Sequence, residues 1–342
     1  MRSQANPAAG LRVLRLGVGK EAYALEMDHV LGIRRADRMR PCPETEAAVG
    51  KLPGADGGVA VFDLAGRLGR QAAPAVGQKQ VVVLKAEPRP WGLLVDRVAP
   101  GFQVSADSIH PLPQVVAGLP RSLFQAVLTL EKELLLLLGP DRLWPDFAPA
   151  GPSLAGIETA LRHPLALPPA FGRFSGCRPG QKQIVLFAAE APRPRERPLL
   201  FGVSISRVLE LVEVPPVIPV PGAPAFVLGL AGWRDRPVAV IDLAGRLGLP
   251  ATVQDPRSRL LIVRTPGGAE PAGLLVRSPI RIRRLPLPHW RCSRPLPVDP
   301  SLARALVELQ TDTLVVPDLG RILQVSEPIP GQPPPNESTM VG

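Results

Sequence analysis

The seven residues Asp63-Leu-Ala-Gly-Arg-Leu-Gly69 recur unchanged at Asp242-Leu-Ala-Gly-Arg-Leu-Gly248, an offset of 179 residues. That spacing is the size of a domain and far exceeds the repeat periods of solenoids, about 20–50 residues. A chain of 342 residues has room for about two domains. The repeat therefore predicts two copies of one domain in tandem. Val59-Ala-Val-Phe62 precedes the first heptapeptide and Val238-Ala-Val-Ile241 the second, and both read as short buried strands. Asp63 and Asp242 stand where N-caps of a short helical turn belong. Leu64 and Leu68, like Leu243 and Leu247, are four apart and share a face. Gly69 and Gly248 then suit the left-handed stop. The motif reads as strand, capped turn and stop, with nothing reactive in it.

The parallel extends both ways. Tyr23–Leu31 aligns with Phe201–Leu209 at an offset of 178, and Gln80–Leu84 with Arg259–Val263 at 179. Gly92-Leu-Leu-Val95 aligns with Gly273-Leu-Leu-Val276 at 181. Small drifts in offset are what loop insertions between fixed strands produce. The 44 prolines argue against long helices. With aromatics at only 4%, Val, Leu and Ile are the expected core material. The segment after residue 147 carries Pro149, Pro152, Pro164, Pro168 and Pro169 and reads as a semi-rigid linker. The expected organisation is a flexible start (1–10), a first domain (11–147), a linker and lead-in (148–182), a second domain (183–326) and a disordered tail (327–342).

Catalysis and metal binding find no support in the chain. His29, His110, His163 and His289 are dispersed, and Cys42, Cys177 and Cys292 give neither a disulfide framework nor a metal spacing. There is no nucleophile elbow and no phosphate loop. The expectation is no enzyme, no cofactor and no metal. The net charge of +10 raises nucleic acid as a partner, but the arginines are scattered through turns without the aromatic-plus-basic strands of an RNA-binding sheet. The start lacks a signal-peptide stretch, and the apolar run Leu134–Leu138 is too short to span a bilayer. A cytoplasmic protein without membrane insertion is expected.

The second copy reads Val220-Pro-Gly-Ala-Pro224, Phe226-Val-Leu-Gly-Leu230, Trp233-Arg234 and Val238-Ala-Val-Ile-Asp-Leu243. This order closely resembles the CheW-like domain of bacterial chemotaxis coupling proteins. That family has a Pro-Gly-Ala-Pro turn, a Val-Leu-Gly-Leu strand, an Asn-Leu-Arg-Gly turn and a strand ending in Val-Ile-Asp-Leu. The first copy supplies the later hallmark, Gly92-Leu-Leu-Val-Asp-Arg-Val98. Neither copy is complete. Gly232, Asp235 and Ala239 replace the family's Asn, Gly and Pro, and Arg277-Ser-Pro279 replaces Asp-Arg-Val. In the first copy the proline turn is degraded to Met39-Arg-Pro-Cys-Pro43, and Ala55 stands where the second copy has Arg234.

The resemblance implies a mainly β fold. Each copy would be a pair of small five-stranded SH3-like β-barrels with short helical turns, four barrels in all. It implies a non-catalytic adaptor or scaffold that couples the cytoplasmic tip of a chemoreceptor to a CheA-type histidine kinase. Location at receptor arrays on the inner face of the membrane and self-association there go with it. The receptor-binding candidates are Arg234 and Trp233, with Val227, Leu228 and Leu230 either lining an apolar groove or alternating as a barrel strand. Asp96 and Arg97 are candidates for a kinase-side or structural role. The alternatives are a divergent scaffold or decoy outside core chemotaxis, and a basic β-barrel that binds nucleic acid.

Overall fold

The computed structural model describes residues 10–41, 47–54, 58–70, 79–87, 89–117, 123–131, 133–144, 181–188, 199–265, 270–286, 298–308 and 313–324. The first copy contains β1 (Leu11–Val18), β2 (Glu21–Glu26), β3 (Val30–Arg35), β4 (Gly50–Leu52), β5 (Val59–Asp63), β6 (Gln80–Leu84), β7 (Trp91–Val95), β8 (Arg97–Val104), β9 (Ile109–His110), β10 (Phe124–Leu130) and β11 (Glu133–Leu138). Single helical turns α1 (Leu64–Arg67) and α2 (Gln114–Ala117) interrupt them. The second copy contains β12 (Gln181–Ala188), β13 (Leu200–Ser204), β14 (Val208–Glu213), β15 (Val217–Ile218), β16 (Val227–Trp233), β17 (Arg236–Asp242), β18 (Ser258–Arg264), β19 (Pro271–Pro286), β20 (Ala303–Glu308) and β21 (Thr313–Pro317), with turns α3 (Leu243–Arg246) and α4 (Leu319–Ile322). The expected lead-in to residue 182 yields two residues to β12. The rest of the linker, residues 1–9, the tail from 327 and Ala55 lie outside the described residues.

The pairing repeats with the sequence. In the first copy the parallel ladders are Leu136↔Tyr23 and Val61↔Gly92, and in the second they are Phe201↔Val315 and Val240↔Gly273. Each pair sits at the offset of its flanking motif, so the tandem copies share one topology. Gly92 and Gly273 are required by that packing. A Cβ on Gly92 would lie 2.6 Å from the Val81 side chain, and one on Gly273 would lie 2.8 Å from Leu260.

Both copies are mainly β with short helical turns, as expected. The first copy gives a six-stranded sheet, β8-β1-β2-β11-β10-β9, and a five-stranded sheet, β3-β6-β7-β5-β4. In the second copy one ten-stranded sheet runs through both halves, because β19 continues for 16 residues where β7 and β8 break at Asp96. The Asp96 side chain explains the break. Its Oδ2 accepts the Gly19 amide at 2.6 Å, and its own amide donates to the Gly17 carbonyl at 3.1 Å, so the chain is tied to the β1–β2 turn there.

The leucine run of β11 is buried on both faces. Leu134, Leu136 and Leu138 face the main core, and Leu135 and Leu137 face the core of the six-stranded sheet. A strand buried on both sides needs no polar alternation. The few aromatics are concentrated rather than dispersed. Tyr23 stacks on Phe124 at 5.9 Å between centroids, and Phe62, Trp91 and Trp144 meet edge to face at 5.5 to 5.8 Å. Strands β10 and β11 of the first copy pack on β17 and β16 of the second, and the Gln114 amide donates to the Glu270 carboxylate at 2.9 Å across that contact.

The heptapeptide's stop has the expected geometry, with φ of +67° at Gly69 and +82° at Gly248. The Arg70 and Leu249 amides close on the Ala65 and Ala244 carbonyls at 2.8 and 3.0 Å, the Schellman pattern. The capping expectation is corrected. Asp63 and Asp242 precede their turns, but neither carboxylate accepts a capping hydrogen bond. Asp242 is buried and turns instead to Thr252, accepting from its amide at 3.0 Å and its hydroxyl at 2.7 Å. The repeated arginine has the role that the sequence reading did not assign. Arg67 donates to the Leu143 carbonyl at 2.7 Å, and Arg246 donates to Ile322 at 3.3 Å and Gln324 at 2.9 Å. In each copy it ties the turn after the last strand to the heptapeptide turn.

Candidate functional site

Strands β16 and β17 form a hairpin with a two-residue turn, closing with Trp233 opposite Arg236. Both turn residues have positive φ, +48° at Arg234 and +58° at Asp235. This is the type I′ turn whose twist matches flanking strands, normally built from Asn or Asp and Gly. An arginine held in that region costs about 1–2 kcal/mol. The hairpin tip thus projects Arg234 where backbone preference alone would not place an arginine.

Three side chains organise the tip. Glu210, on β14, accepts from Trp233 Nε1 at 2.9 Å and from Arg234 Nε at 3.0 Å, and Arg234 Nη2 lies 3.0 Å from the same carboxylate oxygen. The guanidinium carbon sits 5.3 Å from the Trp233 ring centroid, within cation–π range. The Arg234 side chain is still 56% exposed. An exposed ion pair contributes only about 0.2–1 kcal/mol to stability. Its effect here is geometric: the guanidinium is held in one orientation with most of its donors facing solvent.

The other receptor-binding candidates divide differently. Val227 and Leu230 are buried in the main core, and the Trp233 ring is buried against Leu209, Val238 and Leu260. Strand β16 is flanked by β15 and β17, and its inward side chains fill the second copy's core. Of the apolar candidates only Leu228 is half-exposed, packed at the edge of the smaller core. The groove reading of Val227 and Leu230 is therefore replaced by the barrel-strand reading, and Trp233 acts as the platform beneath Arg234.

Glu210 was missed in the sequence. The available signal was a lone acid within the apolar strand Val208–Val212, and it carries meaning only once β14 is seen beside the hairpin. The first copy has Gly32 at that place, since Gly32 pairs with Val83 as Glu210 pairs with Ile262. Both members of the Glu210–Arg234 pair are thus absent from the first copy, where Gly32 and Ala55 stand.

Asp96 and Arg97 lie beside the β1–β2 turn, Asp96 half-buried and Arg97 exposed. Besides the β1–β2 turn, Asp96 has Lys79 Nζ 3.7 Å away, and the Arg97 side chain lies over Gly17. In the second copy Arg277 takes this place and pairs with Asp255 at 2.5 Å. Asp255 is partly desolvated, yet the Arg257 amide and the Arg277 charge hold its carboxyl below the usual range. Among the described residues no group of three His, Cys, Asp or Glu could hold a metal ion, and no helix is long and apolar enough to cross a membrane.

A family model for the CheW-like domain matches residues 12–147 and again 184–327. The curated "Probable chemotaxis protein CheW" of Rhizobium etli is 28% identical over 86 residues, 25% of this chain and 56% of that protein. The chain thus spans about half the length of that relative. The crystal structure of the scaffolding protein TtCheW from Thermoanaerobacter tengcongensis aligns over 40% of this chain and 93% of its own, at 18% identity and a TM-score of 0.37. With the domain model matched twice across most of its length, the chain belongs to the CheW-like domain family and carries two copies of that domain.

Proposed function

We propose that this chain is a cytoplasmic, non-catalytic adaptor that couples chemoreceptors to a CheA-type histidine kinase, with its second copy facing the receptor. The observation that carries the reading is the Arg234 guanidinium, exposed at a strained hairpin tip and oriented by Glu210 and Trp233. Arginine and tryptophan are both over-represented among interface hot spots. A receptor tip is a helical hairpin in this reading, and the half-exposed Leu228 near the start of β16 offers its helix an apolar contact. The first copy, lacking both members of the pair, serves as a kinase-side or structural mate.

Co-sedimentation of the full chain with receptor-containing membranes and kinase tests this. Arg234→Ala is expected to lower receptor retention about tenfold or more. Retention of neither partner by the unaltered chain would remove the coupling role. It would leave the reading that the loss of Gly32- and Ala55-position charges favours, a divergent scaffold outside chemotaxis.

A further inference from the structure

Among the described residues the second half of β19 is paired on one side only. On one side it pairs with β12, through Leu186↔Arg281, Val185↔Ile282, Ile184↔Arg283 and Gln183↔Arg284. On the other side the ladder with β17 ends at Leu275 and that with β18 at Arg277. No strand among the described residues covers residues 280–285 on that side. The Ser278 amide still donates to the Arg257 carbonyl at 3.1 Å and Pro279 has no amide, so backbone groups stand open from residue 280 on, as at any sheet edge.

This edge is strongly basic. Arg281, Arg283 and Arg284 are exposed, Ile282 between them is 56% exposed, and none of the three arginines has an ion-pair partner among the described residues. The fold does not require the charge. In the first copy the corresponding positions, at an offset of 181, are Pro100, Gly101, Phe102 and Gln103. Protection of an edge against aggregation needs one charge or a proline, and Pro279 already supplies the latter. Three arginines in four residues repel one another, and an anionic partner would relieve that repulsion.

We propose that residues 280–285 of β19 form a docking edge for an acidic, extended segment of a partner protein, which adds to the sheet as a further strand. Main-chain hydrogen bonds would supply affinity in such β-addition, and side chains at alternate positions would supply specificity. Arg281 and Arg283 point to one face of the sheet and Ile282 and Arg284 to the other. The edge thus reads carboxylates on both faces and one apolar side chain beside Ile282. Arginine suits this better than lysine, because its planar fork binds a carboxylate through two hydrogen bonds. The edge is separate from the Arg234 hairpin and does not depend on the receptor reading.

The test adds a synthetic peptide of alternating Glu and Val, about eight residues long to match a strand, to the full chain. Titration calorimetry and amide hydrogen exchange are the readouts. Binding with new protection of the amides at 280–285 is expected. The variant with Arg281→Thr, Arg283→Thr and Arg284→Thr keeps strand-forming side chains, and should bind the peptide about tenfold more weakly at an unchanged melting temperature. A peptide with Lys in place of Glu should not bind, and Arg234→Ala should leave binding intact. Absence of peptide binding to the unaltered chain would overturn the proposal. So would equal binding by the threonine variant, or tighter arginine-dependent binding of a single-stranded RNA.

Discussion

Arg234 and Glu210 make unequal demands on the hairpin. Arg234 sits at φ +48° and gains a solvent-exposed ion pair and a cation–π contact with Trp233 in return. A neutral or smaller residue there should leave stability within about 0.5 kcal/mol or raise it slightly, since surface positions seldom matter more. Denaturant melting of Arg234→Asn, an amide that tolerates positive φ, checks this, and the account predicts no loss of stability together with loss of receptor retention. Glu210→Gln isolates the orienting effect. The amide can still accept from Trp233 but no longer holds the guanidinium by charge, so receptor binding should fall a few-fold, less than for Arg234→Ala, with an unchanged midpoint. At this scale Arg234 was legible from its motif, whereas Glu210 was not. The pair is 24 residues apart in sequence and meets only because the fold brings β14 to the hairpin tip.

Single elements show how identical sequence acquires different energetics. The two heptapeptides share backbone geometry, including the left-handed glycine, and their apolar spacing announced both the buried leucines and the stop. The aspartates differ. Asp242 is buried and accepts two hydrogen bonds from Thr252, while Asp63 makes no capping bond. Asp242→Ala is therefore expected to cost about 2–3 kcal/mol and Asp63→Ala less than about 1, a difference that urea unfolding of the two variants resolves. A capping carboxylate does occur where the repeat did not point. Asp318 accepts from the Gly320 and Arg321 amides at 2.9 and 3.2 Å, so Asp318→Ala should cost about 1 kcal/mol. The repeated arginine was invisible as a clamp, because its carbonyl partners lie 76 residues away in both copies. Arg246 also lies 4.3 Å over the Phe226 ring. Arg246→Met should then destabilise the second copy by about 1–3 kcal/mol in the same assay.

Across the whole molecule the tandem repeat gives two domains of one topology that are not independent. The β10–β11 face of the first copy packs against the hairpin of the second, and His110 is buried at that contact with Nε2 lacking a hydrogen-bond partner. Desolvation first, and the Arg236 charge across the contact second, push the His110 pKa below 6.5, while Asp235 opposes the shift. A histidine with a depressed folded-state pKa takes up its proton more readily when the contact opens. Its contribution is therefore fully present above about pH 6.5 and is lost as pH falls below that value. Thermal melts between about pH 7.5 and 5 should show a decline in stability that His110→Gln reduces. The existence, order and offset of the copies were legible in the sequence, because strands and turns are local. Their mutual contact was not, since residues 145–180 separate them and no motif encodes which faces meet.

In the proposed function the two copies of one domain differ in use, with the receptor contact confined to the second. This difference is tested most directly by receptor retention in full-length chains carrying Arg234→Ala or, at the corresponding place in the first copy, Ala55→Glu. The account predicts about a tenfold loss for Arg234→Ala and none for Ala55→Glu. Equal losses for both, or no loss for Arg234→Ala, would contradict it.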